Sequence, residues 1–378
     1  MDVAAILNVV EEQKGWLQDT LRDLVQQESP SEDPQAVNAA VALVKSWAQE
    51  MQARAKRHKQ RGFGDVLELR FGPSRSNQKP VLLLGHLDTV WSVGTLRTMP
   101  WRESEGRFWG PGVLDMKAGI IMALTALNTL QLLKLARPVI LLLNSDEEVG
   151  STISRPITEK LAKESSAVLV LEPAQGLAYK TARKGVGQYN VQVTGVGAHS
   201  GVDFERGHSA ILELAKLVQA ISGFTDLKRK LTVNCGVIAG GTRSNVVPSH
   251  ASTEVDVRIA KASDAAYVDK LFRRLKVSDP LCKLTITGGI NRPPMERKPG
   301  TVALFKKARS LAAELGFALQ EASTGGGSDG NFTAALGLPT LDGMGAVGDG
   351  AHAAHESVVI EHLVPRTALL AAMIASIE

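Results

Sequence analysis

Cysteine is almost missing from this 378-residue chain. Cys235 and Cys282 stand far apart and in no metal-ligating spacing, which excludes a disulfide framework and a thiolate metal site and suits a reducing compartment. Long apolar runs are missing too. The longest, such as Val81–Leu84 and Val139–Leu143, fall well short of the roughly 20 residues that a membrane-spanning helix needs. The N-terminus, Met1-Asp2-Val3 with Glu11 and Glu12 soon after, lacks the basic start and apolar core of a secretory signal. The expectation is a cytoplasmic protein without a membrane segment. Charge of one sign is scarce as well: 43 Lys and Arg against 39 Asp and Glu leave +4. Arg54, Lys56, Arg57, Lys59 and Arg61 supply that surplus in one run, which reads as a solvated helix end, so no nucleic-acid partner is expected. What remains is near the globular average, 44% hydrophobic and 22% charged, without repeats or low-complexity segments. The chain exceeds the roughly 100–200 residues of one domain, so two domains are expected.

Apolar residues at helical spacing over 4–25 and 36–51 predict two opening helices. Short apolar runs follow at 66–71, 81–84, 139–143 and 167–171, with a helical stretch over 117–133 among them. Strands uninterrupted by polar residues are buried on both faces, so a mostly parallel sheet with helices on both faces is predicted. The rhythm changes in the middle of the chain. Strands at 187–194, 231–239, 252–259 and 283–287 and helices at 208–221 and 262–275 alternate as β-α-β-β-α-β, the ferredoxin-like α+β pattern. The predicted organisation is an α/β domain of residues 1–185 and 295–378, with an inserted domain over 186–294. The first domain resumes with a helix over 302–315.

Three of the apolar runs end in groups able to bind a cation. Val81–Leu84 leads into Gly85-His86-Leu87-Asp88, Val139–Leu143 into Asp146-Glu147-Glu148, and Val168–Leu171 into Glu172. Ligands of open α/β sheets bind outside the carboxyl ends of the strands. Asp115 follows Gly110-Pro111-Gly112-Val113-Leu114 and opens the 117–133 helix, where Asp alone would be an ordinary N-cap. Taken singly, His86 reads as a hydrogen-bonded core residue and Glu147-Glu148 as a solvated turn. Taken together, carboxylates at neighbouring strand ends repel unless a cation compensates. Gly348-Asp349-Gly350-Ala351-His352-Ala353-Ala354-His355-Glu356 offers a further histidine, His352 or His355. Imidazole and carboxylate without thiolate suit zinc and also admit cobalt or manganese. Five ligands exceed one tetrahedral ion, and two metals sharing a bridging carboxylate account for the count.

The stretches 85–90, 110–117, 146–151, Leu171-Glu172-Pro173 and Gly350-Ala351-His352 resemble, in order, the motifs of the zinc aminoacylase/carboxypeptidase metallopeptidase family, and within it the glutamate carboxypeptidase-like branch. The resemblance implies that Asp115 bridges two zinc ions, with His86 and Glu172 on one and Glu148 and His352 on the other. The family spacing of histidine to the following glutamate, here Glu356, favours His352 over His355. Glu147 would be the general base, and Asp88 would hold the His86 imidazole. Gly197-Ala198-His199-Ser200-Gly201 is similar to the segment whose histidine stabilises the oxyanion. Asn245 and Arg258 match substrate-contacting positions, with pairing to a neighbouring acid on an exposed strand face as the alternative for Arg258, and Gly326 lies in a glycine loop, Thr324–Asp329, similar to the family's substrate loop. That loop lacks the Gly-Lys-Ser/Thr ending of a phosphate loop. The inserted domain is implied to act as a lid and to form a homodimer.

With two zinc ions balanced by three carboxylates and a hydroxide, Arg258 would leave the cavity positive, which suits a substrate with a free α-carboxylate. The expected reaction is amide hydrolysis of an N-acyl or peptidyl amino acid, releasing a C-terminal amino acid such as glutamate. The alternatives are an N-acetylornithine deacetylase or succinyl-diaminopimelate desuccinylase, or, in another class, a metal-stabilised binding protein without catalysis, against which Glu147 argues.

Overall fold

The computed structural model describes residues 2–73 and 75–377. Three helices open it, Val3–Glu12, Lys14–Gln26 and Pro34–Glu50, where the apolar spacing predicts two. The extra break falls at Gln13, whose side-chain amide donates to the Val9 carbonyl (3.1 Å) and to Thr129 Oγ1 (2.8 Å). The third helix starts as its sequence demands: Asp33 accepts the amides of Gln35 and Ala36, and Pro34 fills the first turn.

Behind these helices stands a six-stranded sheet. Its spatial order is Arg54–His58, Val66–Phe71, Val139–Asn144, Val81–His86, Ala167–Val170 and Thr340–Leu341. The last four strands are mutually parallel, and the first two add antiparallel at one edge. Leu83, Leu141 and Leu169 face one apolar cluster; Leu82, Leu84, Ile140, Leu142, Val168 and Val170 face another. Burial on both faces explains the unbroken apolar runs. The basic run is therefore an edge strand and not a helix end. Its backbone pairs with Val66–Phe71 on one side, and Arg57 reaches Asp65 at 2.8 Å. Cations on an exposed edge discourage pairing with other chains.

On the larger face the helices Ala118–Leu132 and Leu363–Ser376 pack as core elements. Val113–Leu132 is long and apolar enough by composition to cross a membrane, yet 89% of its most apolar window is buried inside the protein. Gly119 sets how closely that helix approaches the sheet, because a Cβ there would lie 2.1 Å from the Leu171 carbonyl oxygen, next to Glu172. A small antiparallel sheet of Arg102–Ser104, Arg107–Trp109, Ser357–Val359 and Gly348–Asp349 carries the late glycine loop. These two- and three-residue strands are too short for alternation to reveal them.

The chain divides into two compact units. One comprises Met1–Ala182, Arg297–Ser323 and Ser328–Glu378; the other comprises Arg183–Glu296 and Thr324–Gly327. The second unit has strands Gly185–Thr194, Thr232–Gly240, His250–Ile259 and Lys283–Arg292, with helices Ala210–Ser222 and Ser263–Arg273 between them. The sheet is antiparallel throughout, in the order Thr232–Gly240, His250–Ile259, Gly185–Thr194, Lys283–Arg292. The helices cover one face, which produces the alternating burial along its central strands. The glycine loop Thr324–Gly327 groups with this unit, although its place in the chain suggests the larger domain.

Gly119→Ala should lower stability by about 1–3 kcal/mol, since the added methyl has a carbonyl in its way. A lower urea midpoint at unchanged slope is the expected outcome.

Candidate metal centre

Three parallel strands deliver their carboxyl ends side by side. His86 aligns with Asn144, and Leu84 with Val170, so His86, the turn Asp146-Glu147-Glu148 and Glu172 leave the sheet at one edge. Asp115 arrives from a wide turn over Val113–Lys117, in which Asp115 (φ −112°, ψ 93°) and Met116 are not helical. The helix proper begins at Ala118, so Asp115 is not an N-cap. His352 comes from the loop between Gly348–Asp349 and Ser357–Val359, at φ 62°, in the left-handed region where His is among the better-tolerated residues.

His86 Nε2 lies 3.3 Å from Asp115 Oδ1 and 3.6 Å from Glu172 Oε1. On the other side, His352 Nε2 lies 3.4 Å from Asp115 Oδ2 and 3.2 Å from Glu148 Oε2. Asp115 thus turns one oxygen to each group. Two donors about 2.1 Å from a tetrahedral ion are roughly 3.4 Å apart, so these separations are those of ligands around a shared cation. His86 Nε2, Asp115 Oδ1 and Glu148 Oε1 are buried with no hydrogen-bond partner, a cost that a cation would remove. The residues present fit a metal. His352 and His355 are both exposed, and it is His352 whose Nε2 approaches Asp115 and Glu148.

The electrostatics agree. Burial opposes a charged His86, yet the acids Asp115, Asp88 and Glu172 hold its imidazolium pKa well above the ordinary value. Asp115 and Glu148 push His352 up to about 10. Burial raises the Glu148 carboxyl, whereas Asp115, although also desolvated, is held far below the carboxylate range by its two histidines. The cluster favours positive charge at the centre.

Two carboxylates hold this arrangement. The main-chain carbonyl of Asp88 receives His86 Nδ1 at 2.9 Å, which turns Nε2 toward Asp115. The Asp88 carboxylate sits 3.5 Å from that nitrogen and accepts the amides of Glu147 (3.2 Å) and Glu148 (3.1 Å) and the Ser31 hydroxyl (2.7 Å). Sequence reasoning assigns Asp88 to the imidazole alone; it also fixes both glutamates. Glu356 is the second. Its Oε2 accepts from Gly112 N (2.9 Å) and Trp91 Nε1 (2.8 Å), and its Oε1 from Leu114 N (2.9 Å) and Asp115 N (3.0 Å). Ser31 and Trp91 carry no sequence signal, while Glu356 is visible only as the acid following His352. Gly112 is required at φ 70°, where a Cβ would meet Thr89 at 2.7 Å. Lys117 is buried below the turn, donates to the Gln27 carbonyl (2.8 Å), and is pushed down to about 7 by burial.

The other candidate residues lie in the second unit, in two pairs. His199 aligns with Val246, and Ser200 N donates to the Asn245 carbonyl at 3.0 Å, so His199 and Asn245 are neighbours. His199 Nδ1 accepts the Gly201 amide at 3.1 Å. Arg258 is forked onto Asp256 (2.8 to 3.1 Å), with Nη1 3.3 Å from the Gly325 carbonyl. Arg183 holds the carbonyls of Gly326 (3.3 Å) and Gly327 (3.0 Å). Asp256 therefore occupies the fork that the sequence analysis assigns to a substrate carboxylate.

The model of peptidase family M20/M25/M40 matches residues 82–376. The chain belongs to this family. Carboxypeptidase G2 of Pseudomonas sp. (strain RS-16) is 30% identical over 367 residues, which cover 93% of this chain and 87% of that protein. Acetylornithine deacetylase of Myxococcus xanthus is 29% identical over 322 residues, 80% and 82% of the two chains. A tripeptidase from Staphylococcus aureus shares the fold, with a TM-score of 0.80 at 19% identity over 96% of this chain and 98% of its own. This M20 protein is a metal-dependent hydrolase of amide bonds, with its candidate metal group at His86, Asp115 and Glu148.

Removing Glu356 leaves four donors around Asp115 without their acceptor. Glu356→Ala should weaken metal binding by about 10–100-fold while the far-ultraviolet spectrum stays native. Competition with a chelating dye checks this.

Proposed function

We propose that this M20 enzyme cleaves the amide bond of an N-acyl or peptidyl amino acid and releases the C-terminal amino acid, glutamate in the first instance, with two zinc ions as its cofactor. The observation that carries this reading is Asp115, whose oxygens face His86 and Glu172 on one side and His352 and Glu148 on the other. His86, Asp115 and Glu172 would hold one ion, and Asp115, Glu148 and His352 the other; cobalt or manganese would be tolerated by the same donors. Bound there, such ions acidify water and polarise a carbonyl. Glu147 has a carboxylate oxygen within 4.8 Å of donor atoms of His86 and Glu172, and its amide is anchored on Asp88. It takes the proton of the attacking water and returns it to the leaving amine.

His199 donates to the developing oxyanion, beside Asn245 as a substrate contact. Arg258 exchanges Asp256 for the substrate carboxylate, and the glycine loop around Gly326 offers backbone N–H groups to it. The second unit acts as a lid and pairs two copies. In support, Thr232–Gly240 is an edge strand with Val237 54% and Ile238 64% exposed, which suits addition of the same strand from another copy. Two unpaired cysteines support a cytoplasmic setting.

Zinc-loaded enzyme should release glutamate from N-acyl-glutamates and glutamyl-terminated peptides. Turnover confined to N-acetylornithine would move the assignment to the deacetylase that its Myxococcus relative suggests. Glu147→Gln should lower kcat by about 100- to 10,000-fold with full metal content, and an undiminished kcat would exclude it as the base. Ile238→Lys should convert a dimer to a monomer in analytical ultracentrifugation.

A further inference from the structure

At the opposite end of the sheet from His86, a cavity of about 240 Å³ is lined by Phe71, Leu127, Leu130, Val139, Gln131 and Arg137, among others. Val139 begins the strand whose other end is Asn144, so the strand separates this cavity from the metal centre by roughly 17 Å. All of its walls belong to the larger unit.

Arg137 is the anomaly. It is only 6% exposed, yet no carboxylate lies within ion-pair distance of it among the described residues. One guanidinium nitrogen donates to the Lys79 carbonyl at 2.9 Å, while Nε is buried without any partner. A buried, uncompensated guanidinium is costly and is ordinarily matched by an acid. The other buried arginine with an unpartnered Nε, Arg366, differs: it donates to two carbonyls, stacks over Tyr179 and lines none of the cavities described. Arg137 also cannot easily retreat. Gly72 presses against its main chain so closely that a Cβ there would lie 2.1 Å from the Arg137 carbonyl oxygen.

We propose that this cavity is a binding site for a small organic monocarboxylate with a compact apolar body, seated with its carboxylate on Arg137. Guanidinium offers a planar fork that matches a carboxylate. The aliphatic and aromatic walls would take the body, and Gln131 would supply a further polar contact. The volume is below the usual range for drug-sized ligands, about 300–1,000 Å³, which limits the occupant to the size of benzoate or hexanoate. A single cation in a largely apolar wall disfavours phosphate, whose charge would need several donors.

The probes are benzoate and hexanoate, with benzyl alcohol and hexanol as neutral matches, titrated calorimetrically into the full-length, metal-loaded protein. The acids should bind the wild type and the alcohols should not. Arg137→Met should weaken the acids by about tenfold or more. Leu130→Trp, which fills the cavity and leaves Arg137 in place, should abolish binding and stands as the decisive variant if Arg137→Met does not fold. Equal binding of acids and alcohols, no binding up to about 10 mM, or acid binding that survives Leu130→Trp would overturn the proposal. The last result would place the carboxylate on the metal centre instead.

Discussion

Repulsion among carboxylates is the constraint around which the larger unit is organised. Asp115, Glu147, Glu148 and Glu172 converge beside two imidazoles at the carboxyl edge of three parallel strands, with the imidazole nitrogens 3.2 to 3.6 Å from Asp115, Glu148 and Glu172. Alone, such a group would shed charge by protonation or spread apart. Here each histidine is pulled toward its charged form and Asp115 is held ionised by them, so the acids favour positive charge at the centre. The same accumulation that would destabilise a scaffold gives a metal-dependent hydrolase a place that favours a cation.

Holding like charges together requires neutral donors, and the chain supplies them from its backbone. Asp88 collects the amides of both glutamates, and Glu356 collects those of Gly112, Leu114 and Asp115. Each tie joins segments distant in sequence: Glu356 follows His352 closely yet anchors a loop about 240 positions earlier. His352 and Asp115 are thereby placed by one short loop and its acid. Such coupling preorganises the donors, which is where a metal site gains affinity.

The second unit follows a different logic. Its antiparallel sheet buries one face under two helices, and its short loops bring His199 to Asn245 and Arg258 to the glycine loop. The Arg258–Asp256 fork keeps a partly exposed guanidinium compensated by the acid two residues before it. Within each pair the partners come from different loops or strands, so the unit's chemistry depends on sheet order as much as on residue type.

Much of this was legible in the sequence, for a physical reason. Parallel strands buried on both faces must be continuous apolar runs, so the strand ends that carry His86, Asp146-Glu147-Glu148 and Glu172 could be located from hydropathy alone. The β-α-β-β-α-β alternation was equally plain, since each element is nine residues or longer. The short strands around Trp109 and Ser357 were not, and the basic run 54–61 read as a helix end because the edge strand Arg54–His58 within it shows only its charges. Composition and local pattern thus determined which groups are present, which fold class they serve and roughly where each strand ends. Tertiary structure decided the rest: that Asp115 splits its oxygens between two histidines, that His352 and not His355 faces it, that Asp88 and Glu356 hold backbone amides, and that Arg137 lies buried without an acid among the described residues. Those facts depend on distances between residues far apart in the chain, which no local pattern encodes.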